Sequence, residues 1–307
     1  MRILTQMGGD IAAAIQAAAP EAEVVMAPLD GPLPPELRGQ ALVATHRAEN
    51  LVELCRRDVE WVHFFGTGVD SIPPEILEGR VVTCSRGAGA TPISEWVLAM
   101  MLAHEKRLPE AWVREPPAMW SWTELGGLHG RTLGLVGLGG IGSAIASRAA
   151  AFEMDIVAIR RTDAPSPVPG VTIVPSLSDL LPVDDHLVLA APATPRTTRL
   201  LGEAELALVK PDVHLVNIAR GALVDQDALR SALDDGRVAA ASLDVCEPEP
   251  LPDGHWLYEH PKVRLSPHIS WSSPALADRI VELLVDNVRR FVAGQPLEGI
   301  VDPVERY

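Results

Sequence analysis

Three residues of this chain have side chains that, brought together, would reduce a carbonyl: Arg220, Glu249 and His268. A 2-keto acid needs its carboxylate held and its carbonyl polarised, and the planar fork of an arginine does both. The carbonyl oxygen needs a proton as hydride arrives on carbon, and histidine is the natural general acid near neutral pH. A carboxylate beside such a histidine orients the ring and stabilises its charged form. Taken singly, each residue has a structural explanation. The chain has nine histidines, Arg220 could cap the element that follows it, and Glu249 sits in a proline-rich acidic loop. Their placement argues for more. Arg220 follows the strand-like run 213–218, Glu249 follows 238–243 and His268 follows 263–265. In a doubly wound sheet, ligands bind beyond the carboxyl ends of the strands.

The hydride needs a carrier, and the chain has a turn suited to one. Gly137-Leu138-Gly139-Gly140-Ile141-Gly142 fits G-x-G-x-x-G between an apolar strand at 132–136 and a helix at 141–152. That context is the one dinucleotide binding requires. Gly137 allows the turn, Gly139 lets backbone approach a pyrophosphate, and Gly142 lets helix and strand pack closely. The helix start, with Gly140 and Ile141, offers N–H groups to the phosphates. An NAD site normally closes the next strand with an acid. Here that strand, 156–159, runs into Arg160-Arg161-Thr162. Two guanidiniums and a hydroxyl suit a 2′-phosphate, which favours NADP(H). NAD(H) is the alternative, with the arginines facing water and Asp163 turning back to a ribose.

The elements that must carry these residues alternate strand-like runs with helical patterns, the signature of an α/β fold with parallel sheets. The first third reads as small α/β units with strands at 3–5, 24–26, 42–44, 61–65 and 81–83. A long apolar helix follows at 92–107, with Thr91 as its N-cap. After the glycine turn, strands at 156–159, 187–190, 213–218, 238–243 and 263–265 alternate with helices at 203–209 and 227–234. Asp225 is an N-cap and Gly236 a C′ residue for the latter. An amphipathic helix at 274–293 stops at Gly294 and Pro296.

At 307 residues, the chain is long enough for two domains. Hydrophobic residues are 47% and charged residues 22%, an ordinary globular balance. No apolar run reaches the length of a membrane span, and no signal peptide is visible. The net charge of −15 argues against nucleic acid or anionic lipid as partner. It leaves room for a small anionic ligand in a local pocket. Three scattered cysteines, Cys55, Cys84 and Cys246, with no CxxC, point to a reduced, cytoplasmic chain and to no metal site.

With these residues in place, the sequence resembles the D-isomer-specific 2-hydroxyacid dehydrogenase family over most of its length. The family's cofactor signature is similar to residues 128–142. A second resembles Asn217-Ile218-Ala219-Arg220-Gly221-Ala222-Leu223-Val224-Asp225, a third Leu243-Asp244-Val245 with Glu249-Pro250-Leu251-Pro252, and a fourth Ser266-Pro267-His268-Ile269. The resemblance implies two Rossmann-like or flavodoxin-like doubly wound parallel-sheet domains with a cleft between them. Residues 1–91 with 274–307 would form a discontinuous substrate-binding domain, and 92–273 the dinucleotide-binding domain. It makes Arg220 the substrate arginine, Glu249 the partner acid and His268 the acid/base; Glu247, two residues earlier, is a decoy. It places Ala191, Pro192 and Asp244 at the cofactor. It gives the loop Gly66-Thr67-Gly68-Val69-Asp70 to the substrate carboxylate through backbone N–H groups, Thr67 and Gly68 among them. Trp271, with Trp120 and Trp122 behind it, is a candidate pocket wall, and tryptophan fills cores and interfaces equally well.

Within the family, the Arg160-Arg161-Thr162 strand end resembles NADPH-preferring glyoxylate/hydroxypyruvate reductases. The implied product is the D-hydroxy acid, and the implied assembly a homodimer using the helix at 92–107. The resemblance implies a form without the extra C-terminal regulatory domain of longer phosphoglycerate dehydrogenases. The rival function is nucleotide sensing through partners, as in the C-terminal-binding-protein corepressors, which resemble this family. A chain ending three residues past Val304, with a full Arg/Glu/His set, fits an enzyme better. A same-fold dehydrogenase of another substrate is the third reading.

Overall fold

The structure, a computed structural model, describes residues 1–69, 72–121, 123–162 and 164–304. Asp70, Trp122 and Asp163, named above for possible roles, lie outside the described residues. The chain divides into two compact units, Met1–Gly89 with Ser273–Tyr307, and Ala90–Ser272.

The first unit contains β1 (Arg2–Thr5), α1 (Gly9–Ala18), β2 (Glu23–Met26), β3 (Ala41–Ala44), α2 (Leu51–Cys55), β4 (Trp61–Phe64) and β5 (Val81–Cys84). Its strands pair in parallel in the order β2-β1-β3-β4-β5. That is the flavodoxin-like order 2-1-3-4-5. Successive residues of β3 face opposite sides. Leu42 and Ala44 enter a core with Leu54, Phe64 and Ile76, whereas Ala41 and Val43 enter one with Ile15, Leu284 and Val288. The latter two come from the C-terminal helix, which therefore returns to cover this sheet beside α1. Beyond it, Gly299 and Val301 bond to Cys84 and Val82 of the β5 edge (3.1 and 2.8 Å).

The second unit contains α3 (Ala90–Glu105), β6 (Thr132–Val136), α4 (Gly140–Ala150), β7 (Asp155–Ile159), β8 (Val171–Ile173), α5 (Leu177–Leu180), β9 (His186–Leu189), α6 (Glu203–Leu206), β10 (Val213–Asn217), α7 (Gln226–Asp234), β11 (Val238–Leu243) and β12 (Val263–Leu265). The C-terminal helix of the first unit is α8 (Leu276–Val292). The sheet order is β12-β11-β10-β9-β6-β7-β8, all parallel. Counted from β6, this is 3-2-1-4-5-6-7, the Rossmann winding with one added strand, and its order reverses between β6 and β9. Both faces are buried. Leu187, Leu189 and Leu215 enter one core with Leu229 and Leu233; Val188 and Val216 enter the other with Leu133, Ile145 and Met101. Two covered faces explain why these strands read as unbroken apolar runs rather than alternating ones.

Two local expectations are corrected. Helix α3 begins at Ala90, so Thr91 lies in its first turn and is no N-cap. Pro92 is tolerated there because the first N–H groups of a helix have no intrahelical partner. The helix also stops at Glu105, because Arg107 takes a left-handed φ of 52°. Asp225 does cap α7, its carboxylate accepting from the N–H groups of Asp227 and Ala228, both at 3.1 Å. Gly236 then ends the helix at φ 85°.

Candidate active site

The glycine turn sits at the β6/β9 switch point. Gly137 has φ 103°, and a Cβ on it would lie 2.8 Å from the Ala190 carbonyl oxygen. Only glycine satisfies both the dihedral and the approach. A Cβ on Gly142 would overlap the Gly137 carbonyl, so the third glycine is required for α4 to pack against the turn. Gly139 faces open space, and no side chain caps the start of α4. The first N–H groups of that helix, from Gly140 and Ile141 onward, meet the positive end of its dipole. This uncapped, Cβ-free cradle fits a dinucleotide pyrophosphate. Ala191 and Pro192 follow β9 next to it, and the Pro192 carbonyl accepts from Thr197 Oγ1 at 2.6 Å.

At the end of β7 the two arginines differ. Arg160 is half-buried and folds over its own loop, Nη1 donating to the carbonyls of Ala164 (3.1 Å) and Pro165 (2.8 Å). Arg161 and Thr162 are exposed. The pair read as equivalent from sequence is thus split into one residue that orders the loop and one that faces outward.

Moving along the carboxyl edge from the glycine turn, the residues after β9, β10, β11 and β12 come in sheet order. Arg220, after β10, is half-buried and donates through Nη1 to the Ala219 carbonyl at 2.7 Å. Asn217 braces the turn before it: its amide donates to the Arg220 carbonyl (2.9 Å) and its oxygen accepts from Ala219 N–H (3.0 Å). Gly221 packs so tightly on the Cys246–Glu247 backbone that a Cβ would overlap it. Glu249 is held at both oxygens. Oε1 accepts from the Cys246 N–H at 3.0 Å, and Oε2 lies 2.8 Å from His268 Nδ1. An ionised carboxylate only accepts, so Nδ1 carries the proton in this pair and Nε2 is left for chemistry. Glu247 is tied away from it, its backbone N–H and carbonyl bonded to the Gln226 side chain. Burial and the Glu249 charge push the Cys246 thiol up, keeping it protonated and unreactive at neutral pH.

His268 itself has φ 55°, in the left-handed region a non-glycine residue rarely occupies. What holds it there is Asp244. This residue is 1% exposed. One carboxylate oxygen accepts from Ser266 Oγ (2.5 Å) and Ile269 N–H (2.9 Å), the other from Ser270 N–H (2.9 Å). Its backbone carbonyl takes the His268 N–H at 2.9 Å. Asp244 is therefore an internal anchor of the histidine loop. Sequence reading missed that role, and also Ser266 and Gly221; the serine two residues before His268 was the available signal. Trp271 adds a further brace, Nε1 donating to the His268 carbonyl at 2.6 Å.

A cavity of about 550 Å³ opens beside the pair, lined by Glu249, His268, Leu251, Leu257, Tyr258 and Leu265 among others. Arg220 does not line it, so it is not the space where an acid would meet all three groups. In the first unit, Thr67 is exposed and Gly68 half-buried on the loop after β4. Trp120 is 75% exposed on the segment after α3. No group of His, Cys, Asp or Glu among the described residues could hold a metal ion. No described helix is long and apolar enough to cross a membrane.

Residues 98–270 match the profile of the D-isomer specific 2-hydroxyacid dehydrogenase, NAD binding domain. The chain belongs to this family. It is 36% identical over 249 residues to a glyoxylate reductase of Korarchaeum cryptofilum, covering 78% of this chain and 74% of that one. It is 32% identical over 245 residues to a D-3-phosphoglycerate dehydrogenase of Methanocaldococcus jannaschii, covering 77% of this chain. It spans only 46% of that longer relative. Among solved structures it resembles the NADPH-dependent glyoxylate/hydroxypyruvate reductase of Sinorhizobium meliloti in complex with NADP and sulfate. That match has a TM-score of 0.80 at 26% identity and covers 100% of this chain and 99% of the other. The family's members are NAD(P)-dependent oxidoreductases acting on 2-hydroxy acids.

Proposed function

We propose that the chain reduces a small 2-keto acid of the glyoxylate or hydroxypyruvate type to the D-2-hydroxy acid, with NADPH preferred over NADH. The observation that carries this is the Glu249–His268 contact of 2.8 Å on the carboxyl edge that also bears Arg220 and the glycine turn. When bound, the dinucleotide supplies the hydride. Gly139, Gly140, Ile141 and Gly142 hold its pyrophosphate, Ala191 and Pro192 border it, and Arg161 with Thr162 take the 2′-phosphate while Arg160 stiffens their loop. Arg220 binds the substrate carboxylate and polarises the keto oxygen. His268 delivers the proton to that oxygen from Nε2, and Glu249 fixes the ring and balances its charge. Asp244 borders the cofactor and also anchors the loop that carries His268. Thr67 and Gly68 add backbone N–H donors for the carboxylate, which makes Met1–Gly89 with Ser273–Tyr307 the substrate-binding unit. A homodimer in the cytoplasm completes the reading. The helix at 92–107 carries it in this reading, with Trp112 exposed just past that helix.

The relatives named for glyoxylate reduction and for NADPH support the substrate class and the cofactor. The test is a side-by-side measurement of NADPH and NADH oxidation with glyoxylate and with hydroxypyruvate. Turnover favouring NADPH is the expected result. Turnover favouring NADH would overturn the arginine assignment alone. Nucleotide binding without turnover of either acid would overturn the substrate class.

A further inference from the structure

The amino end of the second sheet holds a group of polar side chains that the reaction does not use. His186 and His214 begin neighbouring strands in register, both fully buried. Their Nδ1 atoms are 3.1 Å apart. His214 Nε2 lies 2.9 Å from Ser242 Oγ on β11, and His186 Nε2 lies 3.2 Å from Glu105 Oε1 at the end of α3. The His104 ring, also from α3, stacks on His214 with centroids 4.4 Å apart and planes 6° from parallel.

One proton arrangement suits the two hydrogen bonds of His214 with neutral rings. Ser242 donates to His214 Nε2, His214 Nδ1–H donates to His186 Nδ1, and His186 Nε2–H lies near the Glu105 carboxylate without an aligned hydrogen bond. A single added proton is accommodated by reversal. His186 becomes the cation beside Glu105, its Nδ1–H donates to His214, and His214 Nε2–H donates to Ser242. A second proton has no such place. On His214 it sets two N–H groups against each other at 3.1 Å, and on His104 it makes a second cation with its ring 5.9 Å from that of the His186 cation. The remaining charges facing the cluster are Arg131 before β6, 3.7 Å from Glu105, and Arg264 on β12. Lys106 lies on the chain just past Glu105. Asp185 beside His186 is engaged by Lys210 and Arg131 (2.8 and 3.2 Å). Arg131 and Arg264 thus add to the repulsion, and Glu105 is the one carboxylate in contact among the described residues.

The cluster also sits where a segment is fastened. Glu105 carbonyl accepts Gly126 N–H (3.0 Å), Lys106 Nζ donates to the Gly126 carbonyl (2.5 Å), and Arg264 Nη2 donates to the Leu108 carbonyl (2.9 Å). Between those ties runs a segment that exposes Trp112, Val113, Met119 and Trp120. We propose that this cluster is an acid-operated latch. It takes one proton by reversing its hydrogen-bond direction, and a second proton releases the end of α3 and residues 108–126 from the sheet. Burial, followed by the neighbouring histidines, holds His104 below and His214 well below the ordinary histidine value, so the release lies on the acid side of neutrality.

Hydrogen exchange of the full chain tests this between pH 7.5 and 5, corrected for the intrinsic rate. The peptide covering 100–106 should lose protection by about tenfold or more, while peptides covering α4 and β7 keep theirs. His104→Phe, which keeps a flat ring on His214 without its charge, should move the loss to lower pH. Unchanged protection of 100–106 in the wild-type chain overturns the proposal. So does a loss shared at the same pH by α4 and β7, which is unfolding of the whole unit, or a folded His104→Phe chain that opens at the wild-type pH.

Discussion

Replacing Asp184 by asparagine should stabilise the second unit, by an amount that grows with pH. Asp184 is fully buried at the turn into β9, and neither carboxyl oxygen has a partner among the described residues. Burial first, and the Asp185 charge second, push its pKa from 3.8 up to about 8, against a smaller pull from Lys210. The folded state therefore holds a proton that the unfolded chain gives up. A raised acid costs nothing below its unfolded value. The cost accumulates as pH rises from 3.8 towards 8 and is constant above. At ~1.4 kcal/mol per unit, it reaches about 4 kcal/mol at pH 7 and about 6 kcal/mol beyond pH 8. The amide has the same shape and does not titrate. Its own unmet hydrogen bonds add a penalty of about 1–3 kcal/mol that does not change with pH. The slope is thus the signature. Urea unfolding followed by circular dichroism at pH 5, 6, 7 and 8 should show the variant gaining on the wild type by ~1.4 kcal/mol per unit. A difference that stays flat over that range would refute the reasoning, because it would mean Asp184 is ionised in the folded state throughout.

His268→Ala should lower kcat by about 100- to 10,000-fold while the nucleotide Kd, read by fluorescence titration, stays put. Arg161→Ala should raise the KM for NADPH by about tenfold or more and leave that for NADH unchanged, whereas Arg160→Ala should affect both cofactors through the loop. Gly221→Ala should cut turnover without unfolding the chain, since the added Cβ displaces the Cys246–Glu247 backbone that sets Glu249; a circular dichroism melt alongside the rate assay checks this. His63 is buried between Thr83 and Ser85, and burial lowers its pKa from 6.5 to about 4. A depressed histidine contributes stability above its unfolded value and loses it as pH falls towards the folded one. The first unit should lose ~3 kcal/mol between pH 6.5 and 4 from this residue, and His63→Gln should flatten that part of the urea profile.

The features legible in the sequence are those set by local spacing. The glycine turn could be read because strand, turn and helix are contiguous and Gly142 packs on Gly137 within the turn, although the close approach of Gly137 to Ala190 comes from the distant β9. Strand ends could be read because both sheet faces are covered, so each strand is an apolar run with a sharp polar stop at Arg220, Asp244 or Ser266. What escaped depends on partners far along the chain or on elements too short for periodicity. Five residues of α2 and three of β8 carry no repeat to detect. Arg160 and Arg161 look alike until the carbonyls of Ala164 and Pro165 fold under one of them. Asp244 has the look of a ligand-binding acid, and only the return of residues 266–270 from the next strand shows that it also anchors the histidine loop. Nothing local marks His104, His186 and His214 as neighbours, because the register of β9 with β10 and the end of α3 bring them together.

The two edges of the second sheet carry different kinds of polar burden. On the carboxyl edge, Glu249 and His268 are roughly a third exposed, so their charges remain accessible to ligands and their pairing is cheap to keep. On the amino edge, Asp184, His186 and His214 are fully buried, and each must be kept neutral or paired for the sheet to hold. Strands of four or five residues put the two edges roughly 13–17 Å apart. Across that distance two unit charges interact by about 1 kcal/mol at an effective dielectric of ~20, and salt screens the exposed carboxyl edge further. Titration at the amino edge therefore reaches the reaction chiefly by moving backbone, through α3 or the turn into β9, and only weakly by its field. The pH dependence of stability and the pH dependence of turnover should then separate. Asp184→Asn and His104→Phe should shift the first and leave the second where it is, and a variant that moved both together would show that the sheet transmits strain between its edges.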